Sequence, residues 1–313
     1  MRTLQRLALL GAAVAYGGSG AGLQGPVTGY LFDARQGLIR PIEGLPGGAR
    51  LGAGLAVEER LSDCAVSSVG RRALCRTAAG GWGLLVWTGV AVRSREMEGL
   101  AGAAERVVFS EMGVRAVLHL EAAGELARRL VWVGESGVGG MVETGEGWRL
   151  LAVAADGGQV LVTNGPELWR VEEKGVWEWV ARGVEIGAAV FSAGGGVYFA
   201  DRGAKELWQV EGAGAGAAAV RMLREAEGVG EPVALAVCAT EAGEQVVMAD
   251  GAAARLTMPR PGGTGWESVG LWGRPSQLAR LDRDGLYLLN RPGEGPLLLL
   301  DCARRHVSFV PVD

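Results

Sequence analysis

Four short polar residues stand at matched places in this 313-residue chain, and their type and spacing suggest chemistry: Asn164, Asp201, Asp250 and Asn290. Each closes an apolar run, from Gln159 to Thr163, Val197 to Ala200, Gln245 to Ala249 and Leu286 to Leu289, at successive steps of 37, 49 and 40 residues. Carboxylate and amide oxygens grouped around one opening would suit an oxygen-coordinated cation such as Ca²⁺ or, with Arg202 and Arg291 beside two of them, a small polar ligand. The competing role is local. Asn and Asp tolerate left-handed backbone and bond their own turn, and this role has the stronger warrant at turn positions.

The remaining reactive residues offer less. His119 and His306 are the only histidines and fall in separate units, so a histidine-based metal site or a Ser-His-Asp triad would need a chance meeting in space. The glycine string Gly134 to Gly140 lacks the lysine of a phosphate loop and precedes no expected helix. Neighbouring acids such as Glu58-Glu59 and Glu172-Glu173 are split by strand alternation or lie in loops. Trp177, Trp179, Trp266 and Trp272, on outer strands, are the indoles that could meet a carbohydrate.

The elements that hold these residues repeat. A Glu-Leu-Trp-x-Val-Glu string begins at Glu167 and again 39 residues later at Glu206, each time after a glycine-led strand and a turn at Asn or Asp. Such a period marks an array of small four-stranded sheets. Inner strands are expected at Asp63 to Ser68, Arg106 to Ser110, Arg149 to Ala154, Ala188 to Ser192, Val233 to Ala239 and Ser276 to Leu281. Third strands carry Trp87, Trp132, Trp169 and Trp208, and more polar fourth strands follow, for example Val138 to Thr144 and Val176 to Arg182. Before the first full unit come two further runs, Gly29 to Phe32 and Leu38 to Ile42. A circular array must close or leave bare sheet edges, so this hairpin (26–45) is expected to close on the C-terminal unit. The fold expected is all-β: a single β-propeller domain over 26–313, of six four-stranded antiparallel blades with an added hairpin, or of seven with one irregular blade.

Composition agrees. Glycine makes up 53 of 313 residues without a collagen period, which points to many tight turns. A net charge of −4 with acids and bases interspersed argues against nucleic acid as a partner. Arg2 and Arg6, the apolar run Leu7 to Tyr16 and small residues through Ala21 have the form of an export signal over 1–21, too short to span a membrane. A periplasmic or extracellular location and no membrane span after cleavage are therefore expected. In that setting Cys64 and Cys75, flanking a turn at Ser67 to Gly70, form a candidate disulfide, with two buried thiols as the alternative. Cys238 and Cys302, in different units, are expected to be separate core residues.

The pattern from Gly194 to Gly203, with Val197-Tyr198-Phe199-Ala200-Asp201-Arg202-Gly203 at its centre, resembles the NHL and YVTN repeats of secreted bacterial β-propellers. The resemblance implies a binding or scaffold module and brings no catalytic residue with it. The expectation is an exported, non-catalytic, monomeric propeller that binds a protein, carbohydrate or small molecule, with no cofactor beyond a Ca²⁺ ion. The alternative is a lactonase-like hydrolase with a divalent cation at the channel.

Overall fold

The computed structural model describes residues 26–311 except 90, 213–217, 225–228, 242, 262–264 and 282–284; the expected export segment lies outside the described residues. Within them every regular element is a strand, arranged in seven antiparallel sheets, each made of consecutive strands. Blade 1 spans Val27–Leu51, blade 2 Leu61–Glu96, blade 3 Ala104–Glu143 and blade 4 Arg149–Arg182. Blade 5 spans Ile186–Arg224, blade 6 Pro232–Gly270 and blade 7 Ala279–Val310. Blades 2 to 7 have four strands and blade 1 has three.

The apolar residues explain why the sheets form a ring. Seven separate buried clusters are found, and each one joins two blades that are consecutive around the circle. Between blades 4 and 5, Leu161 and Leu168 meet Val197, Phe199 and Val210. Between blades 2 and 3, Leu74 and Leu84 meet Leu118 and Val131. Each sheet thus buries apolar side chains on both faces, because strand alternation sends successive residues to opposite neighbours. The third-strand tryptophans serve this packing: Trp87 and Trp132 are 1% exposed, in the seams between blades 1 and 2 and between blades 3 and 4.

Of the two blade counts, seven is correct. The hairpin at Val27–Asp33 and Leu38–Glu43 does not hydrogen-bond to the last sheet; with a short strand, Arg50–Leu51, it makes a sheet of its own. It packs on both neighbours. Leu31, Ile42 and Leu51 meet Leu288, Leu297 and Leu299 of blade 7, while Tyr30 and Ile39 meet Trp87 and Leu85 of blade 2. Among the described residues the ring is therefore closed by apolar packing, with no strand shared between the first and last blades.

Blade 1 is short for a reason visible in its direction. The turn at Asp33 to Gly37 lies beside the link that enters blade 2, since a Cβ on Gly37 would meet Leu61 O at 2.9 Å. Gly29, at the other end of that strand, lies against Leu281. Val27–Asp33 consequently runs like a second strand, although among the described residues it is the channel-facing strand of its blade.

The cysteines are paired in two bridges. Cys64 and Cys75 face each other across the first two strands of blade 2, with Cα atoms 4.1 Å apart. Cys238 and Cys302 are not separate core residues: they are bonded to one another, from the inner strand of blade 6 to the last turn of blade 7. Distance in sequence concealed this contact. Neighbouring blades stack face to face, which brings positions 64 residues apart to a Cα separation of 6.0 Å.

Candidate functional site

The turns that carry Asn164, Asp201, Asp250 and Asn290 lie at one end of the ring, here called the link end, where each fourth strand passes to the next blade. The hydrogen bonds of Asp201 fix this placement. Its carboxylate accepts the backbone N–H groups of Val184 (2.7 Å) and Glu185 (3.0 Å), in the link that enters blade 5, and of Ala204 (3.0 Å) in its own turn. Asp250 repeats the arrangement with the N–H groups of Glu231 (3.1 Å) and Ala253 (3.0 Å) and with Arg255 (3.1 Å). The links carry a matching residue: a Cβ on Gly183 or Gly230 would come within 2.4 or 2.3 Å of the respective carboxylate. Glycine there lets the acid reach the N–H groups beyond it.

Asn290 acts within its own loop, donating to Pro296 O (2.9 Å) and accepting from Leu298 N (2.8 Å). Asn164 accepts from Glu167 N (3.1 Å) at the surface. None of the four side chains lines the central channel, and Arg202 pairs with Glu185 outside it; Arg291 alone of the six candidates reaches the channel wall. The turns share one end, as the spacing predicts, but their polar atoms are turned into backbone. Asp33 belongs to the same class and was missed in the sequence: it accepts from the N–H groups of Arg35 and Gln36 and pairs with Arg40. The signal was present in Tyr30-Leu31-Phe32-Asp33, which parallels Val197 to Asp201.

The two histidines do not meet. His119 is 1% exposed, with Nε2 3.1 Å from Thr144 Oγ1 and Nδ1 2.9 Å from Glu105 Oε2. Burial lowers its pKa below the ordinary imidazole value and outweighs the attraction of Glu105. His306 stands exposed on the outer strand of blade 7. Trp177 packs edge-on against Trp148 and Trp169, inside a cluster rather than on an open face, whereas Trp272 is 75% exposed beside Phe309.

The channel itself is a cavity of about 1480 Å³, walled by the inner strands of blades 2 to 7 and by Tyr30 to Phe32 of blade 1. Its middle is lined by small apolar side chains, with Ala65, Val108, Ala154, Val190 and Ala236 on the wall. At the far end Glu111 of blade 3 pairs with Arg280 of blade 7, and Glu244 accepts from Ala193 N. Beside Glu244 the Tyr198 hydroxyl is pushed up to about 12, first by burial and then by that carboxylate. At the link end are Arg106, Arg291 and Asp63. A second cavity of about 470 Å³ lies between blades 3 and 4, where Arg115 pairs with Glu173 (2.7 Å) and Arg72 with Glu135 (3.0 Å), while Asp156 accepts from Gly158 N. Among the described residues no group of three or more His, Cys, Asp or Glu side chains is placed to hold a metal ion.

Seven consecutive small antiparallel sheets ringed about a channel define a seven-bladed β-propeller. No family model matches the chain, and no curated protein matches it. Solved structures do, at the level of fold. A functionally unknown protein from Desulfotomaculum acetoxidans DSM 771 superposes with a TM-score of 0.61 at 11% identity, over 91% of this chain and 99% of that one. A streptogramin B lyase gives 0.57 at 11% identity, over 91% and 93%. Dihydro-heme d1 dehydrogenase NirN gives 0.55 at 12% identity, over 90% of this chain and 63% of that one. A lyase and a dehydrogenase on one architecture show that the ring sets no chemistry by itself.

Proposed function

We propose that this chain is an exported, non-catalytic β-propeller of the NHL/YVTN kind that binds a ligand in its central channel. The observation that carries this reading is the contrast between two sets of polar groups. The turn acids are occupied by backbone N–H groups, whereas the channel is roomy, apolar in its middle and charged at its ends. Pockets that bind small molecules combine apolar walls with a few placed polar groups in this way. The hydrolase alternative would draw on Asp201 and Asp250 for its cation, and those carboxylates already hold two blade links in place. Two disulfides support export to an oxidising compartment.

Thermal melting against a panel of sugars, organic acids, peptides and Ca²⁺ tests the reading. A ligand at a hundredfold excess over its dissociation constant stabilises the folded state by about 2.7 kcal/mol. Its shift should vanish in Ala65→Trp, which fills the channel at a half-buried wall position, while that variant itself melts near the wild type. A shift that survives Ala65→Trp and disappears in Asp201→Ala would return the site to the turns.

A further inference from the structure

Two guanidinium groups, Arg106 and Arg291, reach the link end of the channel without an ion pair among the described residues, although Asp63 and Glu294 share that wall. Arg106 stands on the inner strand of blade 3, Ala104–Phe109, just past a register shift between Ala104 and Arg106. The same irregularity occurs in blades 2, 4, 5 and 6, where the residues after it are Asp63, Ala152, Ala188 and Ala234. A bulge re-aims the side chain that follows it. Four of these five positions line the channel with small or acidic side chains or with alanine, and only Arg106 brings a cation. Arg291 comes to the same end from the turn of blade 7, and Arg149, outside the channel lining, opens the inner strand of blade 4.

Their partners are few. Arg149 donates one bond, to Ile186 O at 2.9 Å. The Arg106 and Arg291 side chains make no hydrogen bond or ion pair among the described residues. Of the nearby carboxylates, Glu185 pairs with Arg202, and Glu294 accepts from Ser276 Oγ and Arg291 N. Asp63 lines the channel without closing on Arg106. Elsewhere in this chain channel and cavity arginines are paired: Arg280 with Glu111, Arg115 with Glu173, Arg170 with Glu178. Uncompensated like charge destabilises a folded protein, and an arginine fork matches carboxylate and phosphate oxygens.

We propose that the link end of the channel is an oxyanion site, in which Arg106 and Arg291 grip the carboxylate or phosphate group of a small molecule whose body extends along the apolar wall. Arg149 adds its charge from the neighbouring blade. The inference rests on the channel-binding reading and narrows it to anionic ligands. In keeping with it, the protein mass around the channel and then the charges of Arg291 and Arg149 lower the Arg106 pKa below its ordinary value, although the residue itself is solvent-exposed; a bound anion would oppose that shift.

Calorimetric titration at low salt with citrate, for the carboxylate source, and with pyrophosphate, for the phosphate source, tests the site. At least one should bind, and Arg106→Gln and Arg291→Gln should each weaken it by about tenfold or more, the value of a charge-assisted bond. Arg304→Gln, on the exposed outer turn of blade 7, should leave the affinity unchanged. Arg106→Gln should melt no lower than the wild type, because it removes repulsion rather than a contact. Absence of binding by both anions, or binding that Arg106→Gln leaves intact, overturns the oxyanion site. If a neutral compound from the melting panel still binds and Ala65→Trp still blocks it, the broader channel reading survives that result; if nothing binds in the channel, both fall.

Discussion

Asp250→Ala should cost about 3–5 kcal/mol of stability, the usual penalty for removing one partner of a buried charged pair. The side chain is 0% exposed and holds three donors, two backbone N–H groups and the Arg255 guanidinium, at 3.0 to 3.1 Å. Its loss leaves the link into blade 6 and the turn of that blade untied together. Asp250→Asn keeps the shape and one acceptor oxygen and should cost less. The effect also has a pH signature. Burial pushes the carboxyl up, but the bonds from Ala253, Glu231 and Arg255 together hold it below its ordinary value of 3.8. The unfolded chain therefore takes up the proton first as pH falls. The stabilisation is whole above the unfolded value and is lost as pH drops through the lower folded one. Urea midpoints between pH 7 and pH 3 should show a steeper acid loss for the wild type than for Asp250→Asn.

Ile42→Asp should prevent stable folding. Ile42 is 0% exposed in the seam between blades 1 and 7, among Leu288, Leu297 and Leu299. A lone charge buried there costs several kcal/mol, against a total stability of about 5–15 kcal/mol for a typical domain. The expected outcome is a soluble fraction with lost near-ultraviolet dichroism and a strongly lowered urea midpoint. Ile42→Val, which keeps the seam apolar, should cost about 0.5–1.5 kcal/mol. Wild-type unfolding of Ile42→Asp would mean that the first and last blades do not meet.

The architecture was legible because two signals agreed. The Glu-Leu-Trp string at Glu167 and Glu206 falls on equivalent third strands, Glu167–Glu172 and Glu206–Glu211, and the polar fourth strands begin within a residue or two of their expected starts. Inner strands were harder to bound. Register shifts near their beginnings break the alternation, so Asp63 to Ser68 was seen where Leu61–Ser67 is the strand. Blade 1 escaped a firm count because its last strand is only Arg50–Leu51, too short to leave a pattern.

The site was less legible than the fold. The Asn and Asp positions are marked by local turn chemistry, which sequence shows, and the same turn chemistry consumes them. What makes Arg106 distinct is the lack of a partner, and a partner is a property of the ring rather than of neighbours in sequence. Arg291 was found for its place beside Asn290, and the structure sets it on the channel wall. The Cys238–Cys302 bridge has the same character, joining faces that only blade stacking brings together.

Hydrogen–deuterium exchange with any ligand that raises the melting point is the most direct test of the channel as binding site. The account predicts added protection on the inner strands of several blades, at Ala104–Phe109, Arg149–Val153, Ile186–Phe191 and Pro232–Thr240. Protection confined to outer strands such as Ala91–Glu96 and His306–Val310, with the inner strands unchanged, would contradict it.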